Sequence, residues 1–338
     1  MQKINLKELA RQLNLSIATV SKALRDSHEI STKTKAVVLE AATRLHYTPN
    51  PYASSLRRKK SKTIAVIIPE VADSFFSLAI NGIQSIAELK DYHILIYLTH
   101  EKFEIEQSIV AACGNGRVDG VLISISKETC TSDHFAALQS ENIPIIFFDR
   151  EFENFDTAMV LTNDFECGRL AAEHLAESYC KKPVFLSASG TLPMCNKRAQ
   201  GFVEGLKIAR LWSAVVDPII ICNGSDAENY QQITAIISGP DRPDGIVTSV
   251  EKLGMQVYLA CQERGIQIPE QIKVIAFSTV ETAPILNPSL TTITQPAFNI
   301  GRTAAEILFK AIDKPNYNYA KECIVLPSQL VKRNSTGI

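Results

Sequence analysis

Cysteine is missing from the first 112 residues of this 338-residue chain, and none of the eight further on forms a C-x-x-C pair. No histidine lies at zinc-site spacing from them, so neither a zinc site nor a disulfide framework is expected. Scattered buried thiols of a reduced, cytoplasmic protein are. No apolar run approaches the ~20 residues that span a bilayer, and the charged, polar start does not read as a signal peptide. The chain lacks G-x-x-x-x-G-K-[ST], a G-x-G-x-x-G after a strand, and G-x-S-x-G. Its six histidines make no metal pattern; His174 sits at helical spacing inside Leu170–Leu175 and reads as structural. Hence no catalytic residue, no metal and no cofactor is expected. After Leu326 no heptad follows, which argues against a C-terminal coiled coil and leaves a dimer as the expected assembly.

What is present is unevenly distributed. Overall 35 Lys and Arg balance 36 Asp and Glu, but residues 1–62 hold 13 basic and four acidic residues, a net charge of +9. The remainder carries 22 basic and 32 acidic residues, a net −10. A basic module for a polyanion, joined to an acidic body, fits this asymmetry. At this length two or three domains are expected.

The basic module reads as three short helices. Asn5-Leu-Lys-Glu8 has capping-box spacing, Ile4 and Leu9 can staple it, and Leu6, Leu9, Ala10 and Leu13 repeat at helical period. Ser16 can cap a second helix up to Leu24, with Leu15 and Val20 as its staple and Val20, Ala23 and Leu24 as its packed back. Its front is Ile17, Ala18, Ser21 and Lys22, short and bearing one long cation, a shape that fits a DNA major groove. Ile17 is also spaced i, i+3, i+7 with Val20 and Leu24, which would suit packing instead. A third helix should begin at Ser31 and bury Val37, Val38, Ala41, Ala42 and Leu45. Three such helices with a tight turn between the first two form a helix-turn-helix headpiece.

Asn50 and Pro51 then suit the start of a two-turn helix reaching about Arg58. So short a helix is marginal alone and would order only when held. Leu56, before four cations, can act as an apolar wedge between minor-groove base steps. A flexible basic linker with an incidental leucine reads the same residues equally well.

From residue 63 strand and helix patterns alternate. Apolar runs at Thr63–Pro69, Tyr92–Leu98, Gly120–Ile125 and Pro144–Phe148 are followed, after residue 160, by Pro183–Leu186, Val215–Cys222, Gly245–Ser249 and Ile272–Phe277. Continuous apolar strands between helices indicate parallel sheets covered on both faces. Two successive sets indicate an α/β core of two doubly wound lobes with a cleft between them, where ligands bind beyond the carboxyl ends of the strands.

Residues 4–62 resemble the headpiece and hinge of the LacI/GalR family of bacterial transcription regulators. The match is carried by Leu-Lys-Glu-Leu-Ala, Leu-Ser-x-x-Thr-Val-Ser-Lys-Ala-Leu, Ala-Ala-x-Arg-Leu-x-Tyr-x-Pro-Asn and Ala-x-x-Leu. It continues through Asp-Gly-Val-Leu-Ile (119–123), residues 163–175, Arg-Ala-Gln-Gly-Phe (198–202) and residues 287–296, where the core resembles a periplasmic sugar-binding protein. The resemblance implies a headpiece over 1–49, a hinge helix and linker over 50–62, and a sensing and dimerisation core over 63–338. Chain crossovers would divide that core into one lobe of about 63–162 and 293–324 and another of about 163–292 and 325–338. It also implies base contacts from Ile17, Ala18 and Lys22, and phosphate contacts from Thr19, Ser21, Ser31, Thr34, Tyr47 and Asn50. Leu56 would enter the minor groove with Ala53 beside it. Many members carry Arg where this chain has Lys22, which donates to guanine without the planar fork.

In the cleft, Phe75 and Phe76 follow the first strand, Ser124 and Asp149 end the third and fourth, and Arg198 matches the residue with which the family clamps its ligand. Glu251 and Ser278 stand where the family often has Asp, so a hexose held in the familiar way is in doubt. Arg198 together with one lost carboxylate leans towards an anionic ligand. The implied function is a sequence-specific DNA-binding regulator, a repressor, of a near-palindromic operator, controlled by a sugar or sugar derivative. Two alternatives stay open. One is a regulator switched by a partner protein. The other is an enzyme fused to a helix-turn-helix, with Asp149 and Glu251 as paired carboxylates.

Overall fold

The computed structural model describes residues 4–47, 60–152, 155–212, 217–314 and 316–337. They fall into two compact units, Met1–Ser61 and Lys62–Ile338. The first holds α1 (Leu6–Gln12), α2 (Ile17–Leu24) and α3 (Thr32–Arg44). Their starts are set by side chains that accept from otherwise unpaired backbone N–H groups. Asn5 accepts from Glu8 at 2.9 Å, Ser16 from Thr19 at 3.0 Å and Ser31 from Thr34 at 3.2 Å. Leu9, Ala10, Val20, Ala23, Val38, Ala41 and Ala42 form the buried centre. Val37, expected inside, is exposed. The second-helix stripe is therefore real, and Ile17, 40% exposed, stays on its outer side. The hinge helix expected over residues 51–58, with Asn50, Ala53 and Leu56, lies outside the described residues.

The second unit runs β1 (Thr63–Ile68), α4 (Ser74–Leu89), β2 (His93–Leu98), α5 (Phe103–Cys113), β3 (Val121–Ile123), α6 (Asp133–Ser140), β4 (Ile145–Phe148) and β5 (Ala158–Thr162). It continues with α7 (Asp164–Glu177), β6 (Pro183–Ser187), α8 (Pro193–Ile208), β7 (Ile219–Ile221), α9 (Asp226–Ser238), β8 (Gly245–Thr248), α10 (Glu251–Arg264) and β9 (Lys273–Phe277). It closes with β10 (Thr291–Thr294), α11 (Ala297–Asp313), β11 (Cys323–Leu326) and β12 (Gln329–Val331). Two six-stranded sheets result, ordered β11-β5-β4-β3-β1-β2 and β12-β10-β9-β8-β6-β7. Every pairing is parallel except β10 with β12. Each sheet is buried on both faces, which is why its strands read as unbroken apolar runs.

The chain passes between the sheets after β5, after β10 and after β11. The first and third passages are tied together, because the Asn163 side chain accepts from the Ser328 N–H at 2.8 Å. Each lobe is also braced by two helices meeting at glycine, α4 with α11 and α7 with α8. His174 is buried, with Nε2 3.0 Å from the Thr336 hydroxyl, which anchors the final residues.

Candidate functional site

On the headpiece, Ile17 and Ala18 present an exposed, uncharged front. The Ser21 carbonyl and hydroxyl accept from Arg25 at 2.9 and 3.0 Å, and Lys22 is paired with Glu29. Thr19 and Thr34 stand beside the capping serines, their hydroxyls 2.8 and 2.9 Å from Ser16 and Ser31. Tyr47 packs against the buried centre, and burial raises its phenol above the usual range. The candidate contacts from α2 and the start of α3 thus lie on a rigid, capped framework.

In the larger unit a cleft between the lobes is lined by Asp73, Phe75, Phe76, Asp149, Arg150, Met194, Arg198, Val250, Glu251, Phe277, Ser278, Thr279 and Gln295. Counted with the solvent at its mouth, its empty space is about 370 Å³. Six of the seven residues expected there line it. Ser124 does not: it is fully buried behind Asp149, with its hydroxyl 3.3 Å from that carboxylate. Asp73, Arg150 and Gln295 are additions that sequence reasoning missed. Asp73 caps α4, accepting from the Phe75 N–H at 2.8 Å, and Gln295 sits on a passage between lobes.

Arg198 is 1% exposed, a buried arginine and not a surface one. Its Nε donates to Asp164 at 2.7 Å, its Nη1 to the Ser249 carbonyl at 2.6 Å, and its plane lies 4.2 Å from the Phe277 ring centre. Its Nη2 has no partner; neither does Gln295 Nε2. Arg150 is forked by Glu101 at 2.8 and 2.9 Å and keeps its Nε without a hydrogen bond, 3.7 Å from Asp149. The lobes touch where the Ser74 hydroxyl meets Glu251 and Thr279, each at 2.6 Å, and Ser278 also donates to Glu251 at 2.7 Å.

Burial pushes the Asp73 carboxyl up to about 6, helped by the negative charges of Glu251 and Glu70 and opposed by the Phe75 N–H. Burial likewise raises Asp149 to about 6 against the pull of Arg150 and Arg198. Between the ordinary 3.8 and about 6, the folded chain therefore holds protons that the unfolded chain has lost. The stability these two groups contribute is present at low pH and disappears as pH rises through 6. For Asp149 the rise corresponds to roughly 3 kcal/mol. Asp149→Asn should accordingly stabilise the chain by about 1–3 kcal/mol at pH 7.5 and by little at pH 3, below the ordinary 3.8. Thermal melts at the two pH values check this; equal gains at both would contradict it.

The pattern of bacterial regulatory proteins of the lacI family matches residues 5–50, and that of a periplasmic binding protein-like domain matches residues 172–336. The chain belongs to the lacI family. Along its length it is 27% identical to the ribose operon repressor of Halalkalibacterium halodurans over 333 residues, 98% of this chain and 96% of that protein. The lac repressor dimer bound to operator and the anti-inducer ONPF shares the fold with a TM-score of 0.85, at 21% identity over 99% of each chain. A regulator from Alkaliphilus metalliredigens complexed with D-xylulofuranose superposes with a TM-score of 0.70 at 25% identity, covering 81% of this chain and 98% of that one. Among the described residues of this lacI-family chain no helix is long and apolar enough to cross a membrane.

Proposed function

We propose that this chain is a cytoplasmic, DNA-binding transcriptional repressor whose hold on its operator is set by a sugar or sugar derivative bound between the lobes. The observation that carries the reading is the pairing, in one chain, of a capped helix-turn-helix with a cleft containing unpartnered buried donors, Arg198 Nη2 and Gln295 Nε2. The ribose operon repressor similarity and the D-xylulofuranose complex of a related core support the sugar assignment. Ile17, Ala18 and Lys22 read bases, and Thr19, Ser21, Ser31, Thr34, Tyr47 and Asn50 grip phosphates. Ala53 and Leu56 engage the minor groove. A two-fold dimer places two headpieces on a near-palindromic site. We assign the chain no catalytic step. Glu251, one of the two carboxylates that a hydrolase would use, already accepts from two hydroxyls.

Ligand and DNA act on each other through the angle between lobes, so each must alter the other's affinity by the same factor. Before binding bases, Lys22 must leave Glu29. The test is selection of duplexes from a random library by the full-length chain. A near-palindromic consensus is expected, and Lys22→Ala should relax preference at one position per half-site, by about 1–3 kcal/mol. D-ribose and D-xylulose are then titrated into the complex. Enrichment of no consensus sequence would overturn the DNA-binding reading.

A further inference from the structure

The cation on the front of α2, Lys22, is paired with an acid, Glu29, which lies in the turn between α2 and α3. Both side chains stay largely in solvent, 43% and 52% exposed, where an ion pair contributes little and opens readily. The neighbouring cations have partners of their own. Lys35 is held by Asp26 at 2.7 Å, and Arg25 donates to the Ser21 carbonyl and hydroxyl at 2.9 and 3.0 Å. Neither stands in for Lys22, so when Lys22 turns to a guanine the Glu29 carboxylate loses its partner. It does so between the reading front and Ser31, the residue that caps α3. Duplex DNA carries a negative charge about every 1.7 Å along its axis. A carboxylate that meets only phosphates there weakens binding to every sequence. One kind of group on DNA satisfies it instead, an amino group on a base edge in the major groove.

We propose that Glu29 is a specificity-determining residue of the headpiece, accepting from the exocyclic amino group of a cytosine in the base pair read by Lys22 or in the pair next to it. The inference rests on the reading of the headpiece as an operator-binding module, and adds to the base contacts assigned there to Ile17, Ala18 and Lys22. Cytosine follows from the pattern of the groove. Its major-groove edge shows a donor alone, whereas adenine sets N7 beside its amino group, guanine shows two acceptors, and thymine an acceptor and a methyl group. A carboxylate brings only lone pairs, so cytosine is the one base that opposes it with none. The pair is also complementary as a unit. Lys22 and Glu29 place a donor beside an acceptor, and a G·C pair shows guanine acceptors beside the cytosine donor. The need for a second polar reader is visible in the rest of the front. Ile17 and Ala18 are apolar and exposed, so they reach thymine methyls and leave polar readout to Lys22 unless Glu29 shares it.

The test selects duplexes from a random library with the full-length chain as wild type, Lys22→Ala, Glu29→Ala and Glu29→Gln. The enriched duplex and its single-pair substitutions are then titrated by fluorescence anisotropy at fixed salt. Glu29 is exposed, so circular dichroism should show every variant folded. The wild-type consensus should hold a cytosine in each half-site, no more than one base pair from the guanine whose preference Lys22→Ala relaxes. Glu29→Ala should cut the affinity ratio between that cytosine and its substitutes by about tenfold. Glu29→Gln should move the preference to adenine, whose N6 and N7 a glutamine amide matches. The ratio is the readout because deleting an acid also strengthens binding to all DNA, and that uniform gain cancels in it. A cytosine preference left intact in both Glu29 variants would overturn the proposal and make Glu29 a brake on all sequences alike. A wild-type consensus without the cytosine would overturn it too. In both cases a consensus is still enriched, so the operator-binding reading stands; its own failure is the absence of any consensus.

Discussion

Gly201→Ala should destabilise the chain by about 3 kcal/mol or more and weaken the cleft at the same time. A Cβ on Gly201 would lie 1.9 Å from the Phe165 carbonyl oxygen, and one on the facing Gly168 would lie 2.0 Å from the Arg198 carbonyl oxygen. Both obstacles are backbone, so no side-chain rotation relieves them. Helices α7 and α8 would have to separate by more than an ångström, in an interior packed as densely as an organic crystal. Those helices carry the two ends of the Asp164–Arg198 pair, so the same displacement pulls the guanidinium out of register with the cleft. Urea denaturation gives the stability loss. Gly190→Ala is the control: its Cβ would meet only Ile221 Cδ1, at 3.8 Å, and should change stability by no more than about 0.5 kcal/mol. Equal midpoints for Gly201→Ala and wild type would show that the helices can part without cost. In the other lobe Gly82 and Gly301 meet Phe298 and Ala79 with the same 2.0 Å spacing, so the brace is built twice.

Local signals reach far in this chain, and their limits have a physical origin. The headpiece was legible because its helices begin at side-chain caps only three residues from the N–H groups they satisfy. The strands β1, β3, β4, β6, β8 and β9 were legible because burial on two faces makes them apolar throughout. The edge strands β2 and β7 were legible too, although only partly buried, because their own residues form apolar runs; β5, β10, β11 and β12 were not, so burial alone does not decide legibility. In the cleft, Arg198 and Asp149 stood out by their positions near a helix start and a strand end. Their environment did not. Asp164 is 34 residues from Arg198, and Glu101 is 49 from Arg150. No spacing rule links them, yet these two carboxylates decide whether the arginines present free charge to a ligand.

The consequence is that removing Arg198 should be felt first in stability. Arg198 and Asp164 are 1% and 5% exposed, and Asp164 also accepts from the Thr162 hydroxyl at 2.9 Å. Arg198→Met deletes the cation and leaves a buried carboxylate without its counter-charge, which typically costs 3–5 kcal/mol. Asp164→Asn commits the opposite fault, although Ser249 and the Phe277 face still hold the guanidinium, so its cost should be smaller. Combining the two removes both charges, keeps the hydrogen bond from Thr162, and should recover at least about 2 kcal/mol of the Arg198→Met loss, because coupled sites do not add. Denaturation midpoints of the four proteins give the coupling directly; strict additivity would mean that the pair contributes no mutual stabilisation. The double variant is then the proper protein in which to ask about ligand. It lacks the clamp without carrying an uncompensated charge, so a missing response to sugar in that background reports on recognition rather than on a loosened lobe. If the response survives there, the clamp lies with Gln295 and Arg150, whose unpartnered nitrogens line the same cleft.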